Sequence, residues 1–263
     1  MTILIKNAMV FYQDQFSKLD LYIDECQHLN LDSVINVIPD EVIDASGLHV
    51  LPGLIDVHTH LRQPGFEYKE TIKTGTLAAA KGGYTTICCM PNLKPVTDSV
   101  ETYDALFNLI KEDALINVLP YSSITKGELG TELVDIESLS QKTRFFSDDG
   151  KGVQNEIIMR QAMIAAHKYD AMIVAHCEDE SLLKKGGSVH QGILVAKYDQ
   201  ISISSDSEYQ QLARDLQLVK ETGCKYHACH LSTKESIKLI RQAKRDGLNV
   251  TCEVTPHHLL LCE

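Results

Sequence analysis

DVHTHLRQPG, spanning Asp56 to Gly65, is the stretch around which this 263-residue chain is organised. The apolar residues Leu54, Ile55 and Val57 follow Pro52-Gly53 and read as a buried strand, which Pro64-Gly65 ends in a loop. Side chains two apart on a strand share a face, so His58 and His60 project together at its end and form half of a metal site.

Outward from this stretch the same pattern repeats. Strand-like runs recur at Leu54 to His58, Thr85 to Met90, Ile116 to Ser122, Arg144 to Ser147, Met172 to His176, Lys225 to His230 and Asn249 to Thr255. Between them lie helical stretches such as KETIKTGTLAAAKGG, SVETYDALFNLIKED, EIIMRQAMIAAHKYD, SEYQQLARDLQLVKETG and STKESIKLIRQAKRDG. One strand per roughly 30 residues with a helix between is the rhythm of a parallel sheet. Seven strands are counted from Leu54; a closed barrel takes eight, and a doubly wound sheet competes on the count alone. The barrel is favoured because ligand-type residues fall at the C-terminal ends of successive strands, where barrel enzymes build their sites. The expected fold is therefore α/β, a TIM-type (β/α) barrel over residues 51–263 in which about seven strands are counted. A small β domain precedes it in residues 1–50, where ILIKNAMVFY, KLDLYI, SVINVIP and EVIDASG read as short strands.

The strand ends supply the chemistry. The first carries His58 and His60 with Arg62 just beyond; the second ends at Asn92; the fourth, FFSDDG, offers Asp148 and Asp149; the fifth offers His176; the sixth, YHACHLST, offers His227 and His230. His227 and His230 differ by three, so on a regular strand they face opposite ways; His230, nearer the end, is assigned to the site and His227 to the helix side. His257 and His258 are adjacent, and on a strand their side chains diverge. Four imidazoles and one carboxylate delivered to one barrel mouth match the donors that suit Zn²⁺. Five protein ligands exceed the usual three of one catalytic zinc, so two zinc ions per subunit sharing a carboxylate is the economical reading.

Composition narrows the partners. The net charge is -11, from 25 Lys+Arg against 36 Asp+Glu, and no basic cluster interrupts it, which argues against nucleic acid. There is no basic-then-apolar leader and no apolar run near the roughly 18 residues of a membrane span, so a cytoplasmic protein without a membrane partner is expected. The eight cysteines include no CxxC pair, and most sit in apolar strand-like segments as small hydrophobes.

DVHTHLRQPG, KETIKTGTLAAAKGGYTTICCMPN, FFSDDGKGVQ, VAHCEDE, GGSVHQG, HACHLSTKES and EVTPHHLLL, in this order, closely resemble bacterial dihydroorotases of the long-chain type, in the amidohydrolase superfamily. The resemblance implies a (β/α)8 TIM-type metal-dependent hydrolase barrel, truncated in this chain after about seven strands, and a hydrolase of cyclic amides, reversibly cyclising N-carbamoyl-L-aspartate to L-dihydroorotate in pyrimidine biosynthesis. It implies that His58 and His60 hold one zinc, His176 and His230 the other, and Asp149, the second Asp of the pair, bridges them. Arg62 and Asn92, with His60 beside them, would hold the substrate carboxylate. A homodimer is expected. Allantoinases and hydantoinases, the related alternative, usually bridge their metals with a carbamylated lysine from the fourth strand and lack the Arg of HxHxR. A non-catalytic homologue acting as a scaffold is the alternative from outside enzymology. The superfamily also takes an aspartate from the eighth strand as ligand and proton shuttle; this catalytic residue is expected beyond Glu263, in a longer enzyme of which these residues would be the N-terminal part.

Overall fold

The computed structural model describes residues 1–261, apart from the side chains of Leu194 and Ala196. The chain divides into two compact units, Met1–Leu54 and Ile55–Glu263.

In the first unit, β1 (Ile3–Tyr12) and β2 (Gln15–Ile23) form a hairpin, with β3 (Leu29–Asp32) antiparallel to β2 and with β4 (Glu41–Asp44) and β5 (His49–Val50) parallel to β1. The hairpin's two-residue loop, Gln13-Asp14, has φ of 50° and 62°, the left-handed pair that matches strand twist. Ala8, Val10, Leu21 and Ala45 make its core. The expected strand SVINVIP does not form: the ladder partner of β2 is the preceding Leu29–Asp32. The Asp32 carboxylate accepts from the Ser33 N–H at 2.6 Å and turns the chain out of the ladder, leaving Val34 61% and Ile38 99% exposed.

The second unit alternates strands with helices. Its strands are β6 (Leu54–Thr59), β7 (Tyr84–Cys89), β8 (Asn117–Pro120), β9 (Phe145–Phe146), β10 (Met172–Ala175), β13 (Lys225–Ala228) and β14 (Val250–Cys252). They stand in the order β6-β7-β8 and β9-β10-β13-β14, joined by a parallel bridge from Ser122 to Phe146. The order follows the sequence with no reversal, as in a barrel; a doubly wound sheet reverses at a switch point. All seven runs expected from Leu54 onward therefore correspond to strands, the last five of them shorter than the run. An excursion was not foreseen: after β10 the chain makes a small parallel pair, β11 (Val189–His190) and β12 (Ser202–Ile203), around the short α5 (Ile193–Tyr198).

Alternation within the strands sorts the core. On β7, Ile87 and Cys89 pack with Leu106 and Ile110 of α2 (Val100–Asp113), whereas Cys88 and Met90 pack with Tyr121, Val174 and Cys229. Burial pushes the Cys89 thiol up to about 12, so it behaves as an apolar side chain. α4 (Glu156–Lys168) and α6 (Asp206–Thr222) cover β10 and β13 with Met159, Met163, Leu212 and Leu216. Ser99 caps α2 and Thr233 caps α7 (Lys234–Arg245), each accepting from a first-turn N–H. Glu208 of α6 reaches the N–H groups of Ser232 and Thr233 at 2.9 and 3.0 Å, tying down the loop that follows β13.

Candidate metal centre

Asp149 lies just past β9, in the turn closed by Gly150 (φ 84°) and Gly152 (φ 65°). A Cβ on Gly152 would stand 2.7 Å from the His176 carbonyl oxygen, so glycine lets this turn seat against the end of β10. The Asp149 side chain is 5% exposed and is surrounded by imidazoles. His58 Nε2 is 3.3 Å from Oδ1, His60 Nε2 3.5 Å from Oδ2, His176 Nδ1 3.9 Å and His230 Nε2 4.0 Å from Oδ1. Two groups of ligand atoms result, His58/His60/Asp149 and Asp149/His176/His230, each within 4.8 Å.

The donor set fits a cation on the geometry of its own atoms. Asp149 Oδ1 is buried with no hydrogen-bond donor aligned on it, an expensive condition for an ionised oxygen. His176 Nδ1 and His230 Nε2 face each other at 3.2 Å beside it. Burial, then the neighbouring His176 and His58, push His230 down to about 4, so it offers a lone pair at neutral pH. Burial also lowers His60. Burial opposes charge on His58, but its contacts with Asp149 and Glu253 outweigh this and raise it to about 9.

Asp148, the other member of the pair, turns away. Its Oδ1 accepts from the N–H groups of Ile124 and Thr125 at 2.7 and 2.9 Å, and Oδ2 accepts from the Thr125 hydroxyl. It holds the loop after β8 while Asp149 faces the imidazoles.

Asn92 links the acid, a histidine and the arginine. Its Nδ2 donates to Asp149 Oδ2 at 2.8 Å, and its Oδ1 lies 3.1 Å from His60 Nδ1 and accepts from Arg62 Nη1 at 3.2 Å. A His60 Nδ1–H donated there leaves the Nε2 lone pair facing Asp149. Arg62 has φ 60°, outside the strand geometry that precedes it.

Two sequence assignments are corrected. His227 does not face the helices: its neighbour Tyr226 does, reaching Asp215 of α6 at 2.9 Å, and His227 takes the other side, with Nε2 3.3 Å from Glu253. Parity failed because His230 lies past β13 at φ 32°, where alternation no longer holds. His257 and His258 sit on the short α8 (Pro256–Leu260), not on a strand, with ring centroids 4.3 Å apart. Sequence reasoning passed over Glu253, whose carboxylate lies 2.6 Å from His58 Nδ1; the signal was a carboxylate at the end of the seventh strand run.

A third buried carboxyl lies near. Glu128 is 5% exposed and its Oε1 has no donor; burial, then Asp148, push it up to about 8. The folded chain keeps a proton there that the unfolded chain releases near 4.5, so Glu128 costs stability as pH rises between those values. Glu128→Gln should remove this slope. Across that window the wild-type unfolding temperature should fall relative to the variant by roughly 5 °C or more; parallel pH curves would refute the buried carboxyl.

A model of the family described as Dihydro-orotase-like matches residues 47–236. The chain is 50% identical over 262 residues to a dihydroorotase of Staphylococcus aureus (strain Mu50 / ATCC 700699), covering 99% of this chain and 62% of that protein. It is 44% identical over 260 residues to a dihydroorotase of Fusobacterium nucleatum subsp. nucleatum, covering 99% and 61%. The chain thus spans about three-fifths of the length of these relatives. Among solved structures, an L-hydantoinase (dihydropyrimidinase) from Arthrobacter aurescens superposes with a TM-score of 0.85 at 22% identity, over 98% of this chain and 59% of that one. A D-hydantoinase superposes at 0.83 and 24%, over 99% and 59%. At such identities the superpositions establish the barrel fold alone. Among the described residues no helix is long and apolar enough to cross a membrane. The family model and the extended identity to dihydroorotases together establish that this chain belongs to the dihydroorotase family.

Proposed function

We propose that this chain carries the metal centre and substrate-carboxylate arm of a zinc-dependent dihydroorotase, which interconverts N-carbamoyl-L-aspartate and L-dihydroorotate in pyrimidine biosynthesis. The observation that carries the reading is the buried, donor-free Oδ1 of Asp149 among four imidazoles, with Arg62 tied to the same cluster through Asn92. In this reading His58 and His60 would hold one zinc, His176 and His230 the other, and Asp149, within reach of both groups, would serve the two. Divalent zinc bound there supplies a Lewis acid for the ring amide carbonyl and lowers the pKa of water toward neutrality.

The chain's own groups do the rest. Among the described residues the Arg62 guanidinium makes one hydrogen bond, through Nη1 to Asn92, and its other N–H groups match a carboxylate bidentately. Asn92 donates to Asp149 and accepts from Arg62, so the substrate's fixed end and the reacting end share one positioning residue. The alternative with a carbamylated lysine lacks a lysine at the bridging place. Lys151, two residues beyond Asp149, donates instead to the Glu128 carbonyl oxygen at 3.2 Å.

The test is metal content with turnover on the enzyme carrying this chain. Roughly two zinc per chain should be bound, and chelation should abolish dihydroorotate hydrolysis, with zinc restoring it. A protein that binds no divalent metal, or that is fully active after exhaustive chelation, would sink the proposal.

A further inference from the structure

We propose that Glu253 is a positioning residue of the metal centre, holding His58 in the tautomer that presents Nε2 to the metal and fixing the backbone that carries His230. This rests on the metal reading above and goes beyond it, since Glu253 belongs to neither ligand pair in that reading.

The geometry is specific. Glu253 Oε1 lies 2.6 Å from His58 Nδ1 and accepts from the His230 backbone N–H at 3.2 Å. Oε2 lies 3.3 Å from His227 Nε2. One carboxylate thus touches a histidine from β6, the backbone of a histidine beyond β13, and His227 of β13 itself. It is half-buried and held in place by its own main chain: its N–H donates to Ala228 O at 3.1 Å, and its carbonyl accepts from Leu231 N–H at 3.0 Å.

An ionised carboxylate only accepts hydrogen bonds, so the nitrogens facing it carry the protons. His58 then keeps its proton on Nδ1, and Nε2, the atom 3.3 Å from Asp149, is the nitrogen that would give up its proton to a bound metal. His227 is the Nε2–H tautomer; its Nδ1 accepts from the Thr251 hydroxyl at 2.7 Å. A carboxylate behind a ligating imidazole also makes that imidazole a stronger donor, and removing such a group typically costs ten- to a hundred-fold in metal affinity. The hydrogen bond to His230 gives the same side chain a second grip, on a residue at φ 32° that regular strand pairing does not fix.

The experiment compares wild type, Glu253→Gln and Glu253→Ala in the enzyme carrying this chain, measuring zinc affinity by competition with a chelator and histidine tautomers by nitrogen-15 NMR. Zinc affinity should fall about ten- to a hundred-fold in both variants. In Glu253→Gln the amide NH₂ must face one of the two imidazoles, so His227 or His58 should exchange its protonated nitrogen, a change that mere loosening of the fold would not produce. Should the Ala variant fail to fold, the Gln variant, which keeps the shape, decides. Wild-type zinc binding with unchanged affinity and unchanged tautomers in Glu253→Gln overturns this inference alone. A wild type that binds no zinc overturns the metal reading and this inference together.

Discussion

Asp149→Ala should strip zinc from the enzyme and lower turnover by about a thousand-fold or more, the scale on which losing several kcal/mol of metal-derived transition-state stabilisation is felt. Both carboxylate oxygens face imidazole nitrogens, at 3.3 and 3.5 Å for the β6 pair, and without the carboxylate the four rings have no shared counter-charge. Truncation also leaves Asn92 Nδ2 without the acceptor it uses at 2.8 Å, which loosens its hold on His60 and Arg62. The neighbouring Asp148→Ala is the informative contrast. That side chain accepts from Ile124 and Thr125 and, among the described residues, makes no hydrogen bond or ion pair with an imidazole, so its loss should appear as a lower unfolding temperature, with zinc content retained in the protein that remains folded. Elemental analysis and unfolding curves on the two variants separate the roles. An Asp149→Ala enzyme that retains both zinc and rate would refute the shared-carboxylate reading.

Much of this was legible because periodicity and strand-end chemistry are local properties. The rhythm from Leu54 onward set the strand count and order, and residues at or just past the ends of β6, β9, β10 and β13 are those that meet around Asp149. Two of the three misreadings share a cause in backbone geometry that composition does not encode, and the third lies in long-range contact. SVINVIP is as β-prone as its neighbours, but Asp32 turns the chain before it can pair. Parity on β13 put His227 on the wrong side because φ 32° at His230 breaks the alternation used to compare them. Glu253 was passed over because a carboxylate acting on the far nitrogen of a histidine has no sequence spacing to that histidine; 195 residues separate it from His58. Asp148 and Asp149 illustrate the converse. Nothing in FFSDDG distinguishes them locally, and the structure separates them by which one the loop at Ile124 and Thr125 captures.

Arg62→Ala should reduce kcat/KM for dihydroorotate by about a hundred- to a thousand-fold while leaving zinc content intact. The guanidinium spends one N–H group on Asn92, and among the described residues it makes no hydrogen bond to a metal-centre histidine. In the proposed reading the variant loses recognition of the substrate carboxylate, and truncating one partner of a hydrogen-bonded charge pair costs on the order of 2–5 kcal/mol. Because this binding energy holds the ring against the metals, the loss should fall on kcat as well as KM. Arg62→Lys should recover little, since an ammonium keeps the charge but not the planar fork. The decisive comparison uses the same ring without its carboxylate: dihydrouracil should be a poor substrate for wild type and no poorer for Arg62→Ala. Equal losses on both substrates would mean that Arg62 supports the centre's architecture and does not select a carboxylate. A wild type that prefers the carboxylate-free ring would move the assignment to the hydantoinase side of the superfamily.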